Sequence, residues 1–112
     1  QNVLTELAPK IEFLKQGLQK FREIPQVGDI RQRGFMVGIE LVKNPRTKEP
    51  YPFSAQVGHR VIKAARKKGL LLRPLVDIIE IVPHLSMSIA ELEQILAITY
   101  AAIEEVVKEI TD

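Results

Sequence analysis

Two apolar runs separated by a short turn constrain this chain more than any other feature: Leu70-Leu71-Leu72-Arg73-Pro74-Leu75, then Ile78-Ile79-Glu80-Ile81-Val82-Pro83. They read as paired strands with one arginine set among leucines. A guanidinium never loses its charge in a protein, so placing one in so apolar a run is costly unless a carboxylate meets it. The nearby candidate is Glu80. With the turn at Leu75-Val76-Asp77, residue 73 is expected opposite 79 and residue 72 opposite 80. Side chains alternate across a strand, so Arg73 and Glu80 are then expected on opposite faces of the sheet. The partner of Arg73 would lie elsewhere in the fold or be a ligand, unless the arginine is simply solvated on an open sheet face.

The 112 residues make one domain, with room for a single core. Hydrophobic residues are 46% and charged residues 27%, the balance of an ordinary globular chain. A net charge of +2 is too small to point to nucleic acid. With no cysteine there is neither a disulfide framework nor thiol chemistry. His59 and His84 lack metal-ligand spacing, so no metal site is expected. No apolar run approaches a membrane span, and no signal-peptide pattern opens the chain. Neither a nucleic-acid nor a membrane partner is expected. The helical pattern is already running at Gln1-Asn2-Val3 without an initiator methionine, which points to a piece of something longer.

Leu4, Leu7, Ile11, Leu14, Leu18 and Phe21 form one helical stripe, with Pro9 expected to kink the helix near Ala8 or to restart it. Ile24-Pro25 ends it. Val27 to Arg33 and Phe35 to Val42 read as strands meeting at Gly34, with Phe35, Val37, Ile39 and Leu41 on one face. Three prolines among charges make Lys43 to Phe53 a surface loop. Ser54 is the expected cap of a helix carrying Val57, Val61, Ile62 and Ala65, and Gly69 ends it. Ser88-Ile89-Ala90-Glu91 is a capping box opening a last helix with the stripe Leu92, Ile95, Thr99, Ile103, Val106 and Ile110. The fold class is α+β, in the order α-β-β-α-β-β-α, with helices on one face of a small, mostly antiparallel sheet.

Little here can run a reaction. Gly34 and Gly38 fall in one strand pattern and make no phosphate cradle. Ser54, Ser86 and Ser88 serve turns and caps, and His84 reads as a turn residue. Arg60, Lys63, Arg66, Lys67 and Lys68 make a basic helix face that could meet phosphates or simply be solvated.

Three stretches carry a resemblance. Gly28-Asp29-Ile30-Arg31-Gln32-Arg33-Gly34-Phe35-Met36-Val37-Gly38-Ile39-Glu40-Leu41 resembles the strand pair opening the C-terminal small domain of class III aminotransferases, pyridoxal-phosphate enzymes of fold type I. Lys43-Asn44-Pro45-Arg46-Thr47-Lys48-Glu49-Pro50-Tyr51-Pro52 is similar to the loop of the subgroup making 7,8-diaminopelargonic acid in biotin synthesis. Leu72-Arg73-Pro74-Leu75 resembles that subgroup's arginine-proline motif. Ornithine-type relatives instead carry an arginine where Glu80 stands. Val76-Asp77 replaces a usual glycine, and Pro83-His84 replaces a common proline pair.

The resemblance implies that residues 1–112 are the small C-terminal domain of a longer cytoplasmic homodimer, with the helix Val3 to Phe21 bridging to a large domain. It implies Arg73 and Leu75 as substrate-binding residues, Arg73 taking the carboxylate of 8-amino-7-oxononanoate. It implies an amino group passed from S-adenosylmethionine to the 7-keto carbon. The cofactor lysine, the aspartate on the pyridine nitrogen and the phosphate site belong to the large domain in this family. No lysine here stands in such a context, so the chain alone is expected to be inactive, without catalytic residues and without bound pyridoxal phosphate. Another class III enzyme acting on an omega-amino acid or diamine is the alternative. A freestanding α+β interaction domain with the basic helix as its contact surface is a third reading.

Overall fold

The stripe of the first segment winds into α1 (Val3–Leu18), which tightens into a 3₁₀ turn over Gln19–Glu23. These coordinates are a computed structural model that describes residues 3–52, 55–70, 73–75, 78–81, 83 and 86–111; the side chains of residues 3–6, 73–75 and 111 lie outside the description. The helix runs through Pro9 and does not restart there. Proline removes one N–H from the ladder, while Leu14 and Leu18 anchor the turns beyond it in the core. Ile24, held extended before Pro25, stops the segment (φ −89°, ψ 114°).

Four strands follow: β1 (Val27–Arg33), β2 (Met36–Leu41), β3 (Arg73–Leu75) and β4 (Ile78–Ile81), in the spatial order β1-β2-β4-β3 with every neighbour antiparallel. Gly34 turns the first hairpin at φ +59°. Phe35 joins that turn yet keeps its side chain buried, so β2 starts one residue later than its pattern predicts. β3 lies at the sheet edge, where Pro74 costs no ladder hydrogen bond.

α2 (Val57–Lys67) and α3 (Ile89–Thr111) complete the layer with α1. Gln56, not Ser54, occupies the N-cap of α2 in a left-handed conformation, and no side chain caps the helix there. Ser54 itself lies outside the described residues. Gly69 closes α2 as predicted, with φ +91° and a paired set of bonds, Gly69 N–H to Arg66 O and Leu70 N–H to Ala65 O, both 3.0 Å. Phe21 meets Tyr100 edge-on at 5.3 Å between centroids. A Cβ on Gly17 would run into the side chain of Leu96, so this glycine sets how closely α1 approaches α3. The apolar stripe from Leu14 to Phe21 is thus buried inside the domain; among the described residues the exposed large apolar side chains are Met36 and Ile89.

The capping box at α3 forms in both directions. Ser88 N–H donates to Glu91 Oε1 at 2.9 Å, and Glu91 N–H donates to Ser88 Oγ at 3.2 Å. The hydrogen bonds from Ser88 hold the Glu91 carboxyl below its ordinary range. A depressed carboxylate stabilises above its unfolded pKa, about 4.3 for glutamate, and loses that contribution as pH falls toward the depressed value. Ser88→Ala is expected to cost about 0.5–2 kcal/mol. It should also flatten the acid-side loss of amide protection in the first turn of α3, which hydrogen exchange between pH 6 and pH 3 would read.

Alternation along β2 and β4 separates two sheet faces. Val37, Ile39, Leu41, Ile79 and Ile81 are buried on the helix-covered face with the helical stripes. Met36 is exposed, and Gly38, Glu40, Ile78 and Glu80 are half-buried, on the other. The expected register between the last two strands is overturned. Arg73 pairs with Glu80, Pro74 with Ile79 and Leu75 with Ile78, one residue off the predicted alignment. Only Val76 and Asp77 stand between paired positions, one fewer than assumed. A one-residue shift moves every position to the other face relative to its partner strand, so positions 73 and 80 share the open face.

Candidate functional site

The open face is built from residues two apart. On β1, Asp29, Arg31 and Arg33 project with it, while Ile30 and Gln32 belong to the covered side; Gln32 Nε2 donates to Ile11 O of α1 at 2.9 Å. Cross-strand pairing then sets Arg31, Gly38, Glu80 and position 73 in one row across all four strands. A second row holds Asp29, Glu40, Ile78 and position 75. Arg31, Arg33, Met36, Gly38 and Glu80 line a shallow depression of about 450 Å³ over this face.

Its charges are partly spoken for. Arg31 Nε donates to Asp29 Oδ2 at 2.9 Å. The Arg31 guanidinium holds the Asp29 carboxyl below its usual range, and Asp29 raises Arg31 in return. Both side chains are well exposed, so the pair adds little stability. Gly28, just before, is the extra residue of a bulge where the β1–β2 register shifts; a Cβ there would come within 2.7 Å of Val42. Lys48 Nζ donates to the Gly28 carbonyl at 2.5 Å, tying the Lys43–Pro52 loop to the start of β1.

Arg73 and Leu75 have described backbones, which place both positions on the open face, and their side chains lie outside the description. Leu72, Val76, Asp77 and His84 lie outside the described residues. Ser88 is used by the cap. Two of the five basic residues on and just after α2 meet α3: Arg60 Nη2 meets Glu109 Oε1 at 2.9 Å and Lys68 Nζ meets Glu105 Oε1 at 3.2 Å. Sequence reasoning missed the row that Arg31 and Gly38 extend from Glu80. The spacing of Asp29, Arg31 and Arg33, each two apart, was the available signal.

This face can orient an anion; its described residues include no serine, threonine, cysteine, histidine or lysine. Those residues include no group of three histidine or acidic side chains arranged to hold a metal. A covalently held pyridoxal phosphate needs a lysine in a closed pocket, where desolvation frees its amine. The described lysines are exposed except the half-buried Lys10, so these residues by themselves do not fit that group. None of the helices described is long and apolar enough to cross a membrane.

Residues 1–103 match the family described as "Aminotransferase class-III". An adenosylmethionine-8-amino-7-oxononanoate aminotransferase from Methanocaldococcus jannaschii is 44% identical over 94% of this chain and 23% of its own length. Its crystal structure superposes with a TM-score of 0.89, over 93% of this chain and 24% of that one. The protein of the same name from Aquifex aeolicus is 41% identical over 98% of this chain and 24% of its own. A PMP-bound aminotransferase from Vibrio fluvialis, 26% identical, superposes with a TM-score of 0.86 over 96% of this chain and 23% of its own. The chain thus spans about a quarter of the length of these relatives. Its sequence, its four-stranded sheet with three helices on one face and the match over residues 1–103 agree: this chain belongs to the class III aminotransferase family.

Proposed function

We propose that this chain is the small C-terminal domain of a cytoplasmic, homodimeric, pyridoxal-phosphate-dependent aminotransferase of biotin biosynthesis. The complete enzyme moves an amino group from S-adenosylmethionine to the 7-keto carbon of 8-amino-7-oxononanoate, giving 7,8-diaminononanoate. The observation that carries this reading is the closeness of two proteins named for that reaction, from M. jannaschii and A. aeolicus, over more than nine-tenths of the chain.

In this reading the open sheet face is one wall of the substrate site. Arg73 takes the substrate carboxylate through its planar fork, and Leu75, two residues on along the same face, lies beside the substrate's alkyl chain. The register supports the pairing of these two positions on one side of an edge strand. The bound cofactor supplies the means of carrying the amino group, and the large domain holds it. A freestanding interaction domain is less well supported, because α3 carboxylates already meet Arg60 and Lys68 of the basic face.

Full-length protein incubated with cofactor, S-adenosylmethionine and 8-amino-7-oxononanoate is expected to yield 7,8-diaminononanoate by mass spectrometry. The 112-residue chain alone should yield none, and borohydride reduction in the presence of cofactor should label no lysine in it stoichiometrically. A full-length enzyme that aminates other omega-amino acids or diamines but not this keto acid would overturn the substrate assignment. Labelling of one lysine in the isolated chain would overturn its place as a wall without the chemistry.

A further inference from the structure

Register decides what stands beside Arg73. β3 and β4 set it opposite Glu80, and β4 and β2 set Glu80 opposite Gly38. Directly opposed residues on antiparallel strands hold their Cβ atoms about 4.5–5.5 Å apart on one face. On the β2 side of Glu80 there is no side chain: a Cβ at Gly38 would meet only Ile78 Cγ2, at 3.6 Å. The next cation along the row, Arg31, is two strands away, about 9.5 Å, and is ion-paired with Asp29 at 2.9 Å. Glu80 itself is half-buried at the edge of the depression, where screening is weaker than at an open surface. Position 73 is therefore the nearest cationic position in its row.

We propose that Glu80, standing opposite Arg73 across the last strand pair, is its counter-ion and positioning residue, and sets how strongly the arginine draws a substrate carboxylate. The inference rests on the reading of Arg73 as the carboxylate-binding residue. A guanidinium offers five donors on more than one edge, so Glu80 holds one edge and leaves another for the substrate. The substrate carboxylate then enters a site whose charge is already partly neutralised. Affinity is held down by the same group that keeps the arginine aligned.

The test uses the full-length holoenzyme and nonanoate, a plain nine-carbon carboxylate, as a competitive inhibitor against the keto acid. Glu80→Gln keeps an acceptor in place and removes the charge. It is expected to lower the inhibition constant by about three- to tenfold at low salt, because guanidinium donors that Glu80 engages become available to the incoming carboxylate as charge-assisted hydrogen bonds. The gain should shrink as salt rises and vanish in an Arg73→Ala background. Glu80→Thr carries the same expectation should the glutamine variant fail to fold. An unchanged or raised constant, with Arg73→Ala still weakening nonanoate, would overturn the role of Glu80 and leave Arg73 standing. The same gain in the Arg73→Ala background would also overturn it, because Glu80 would then act without the arginine. Nonanoate binding indifferent to Arg73→Ala would overturn both readings together.

Discussion

Ile39→Ala is expected to cost about 2–5 kcal/mol of stability, the range for removing a fully buried branched side chain and leaving part of its volume empty. Ile39 is wholly buried at the centre of the sheet, paired with Ile30 on β1 and Ile79 on β4, and its side chain faces the helical layer. The neighbouring site gives the control. Met36 stands on the same strand but on the open face, 54% exposed, so Met36→Ala should stay within about 0.5 kcal/mol. Hydrogen-exchange protection of the β2 and β4 amides in the full-length protein reads both. Equal losses from the two variants would contradict the division of the sheet into a covered and an open face.

The second large effect is chemical. Arg73→Ala in the full-length enzyme removes a charge-assisted, bidentate contact to the keto acid carboxylate. Hydrogen bonds to charged groups contribute about 1.5–3 kcal/mol, so kcat/KM for that substrate should fall roughly ten- to more than a hundredfold. Arg73→Lys should recover only part of it, since an ammonium cannot reproduce the planar fork. A structural arginine makes a different forecast: the melting temperature drops and both half-reactions decline together. An Arg73→Ala enzyme of ordinary stability with unchanged specificity would remove the carboxylate role.

The helices and the first hairpin were legible in the sequence because each carries a signal stronger than its surroundings. Ser88 and Glu91 at a four-residue frame forecast both capping bonds seen at α3. Gly69 forecast a left-handed stop, and strict alternation from Phe35 to Leu41 forecast the covered face. The start of α2 was misread because a serine looked like a cap, whereas Gln56 makes the turn with its backbone and no side-chain bond. The open face was misread for a sharper reason. Ile78 to Ile81 gives no alternation of its own by which to anchor the register, since three of its four residues are isoleucine. Register then hung on the length assumed for the turn, and one residue there decides whether Arg73 and Glu80 are neighbours or face apart. Backbone pairing supplied what composition could not.

The carboxylate claim is tested most directly by comparing the keto acid with its methyl ester in wild-type and Arg73→Ala full-length enzyme. The ester keeps the chain and the reacting carbonyl and lacks only the charge. Wild-type enzyme is expected to prefer the acid by roughly ten- to more than a hundredfold in kcat/KM, and Arg73→Ala to handle acid and ester within about a factor of three. Equal discrimination in the two enzymes would place carboxylate recognition on some other residue and contradict the account.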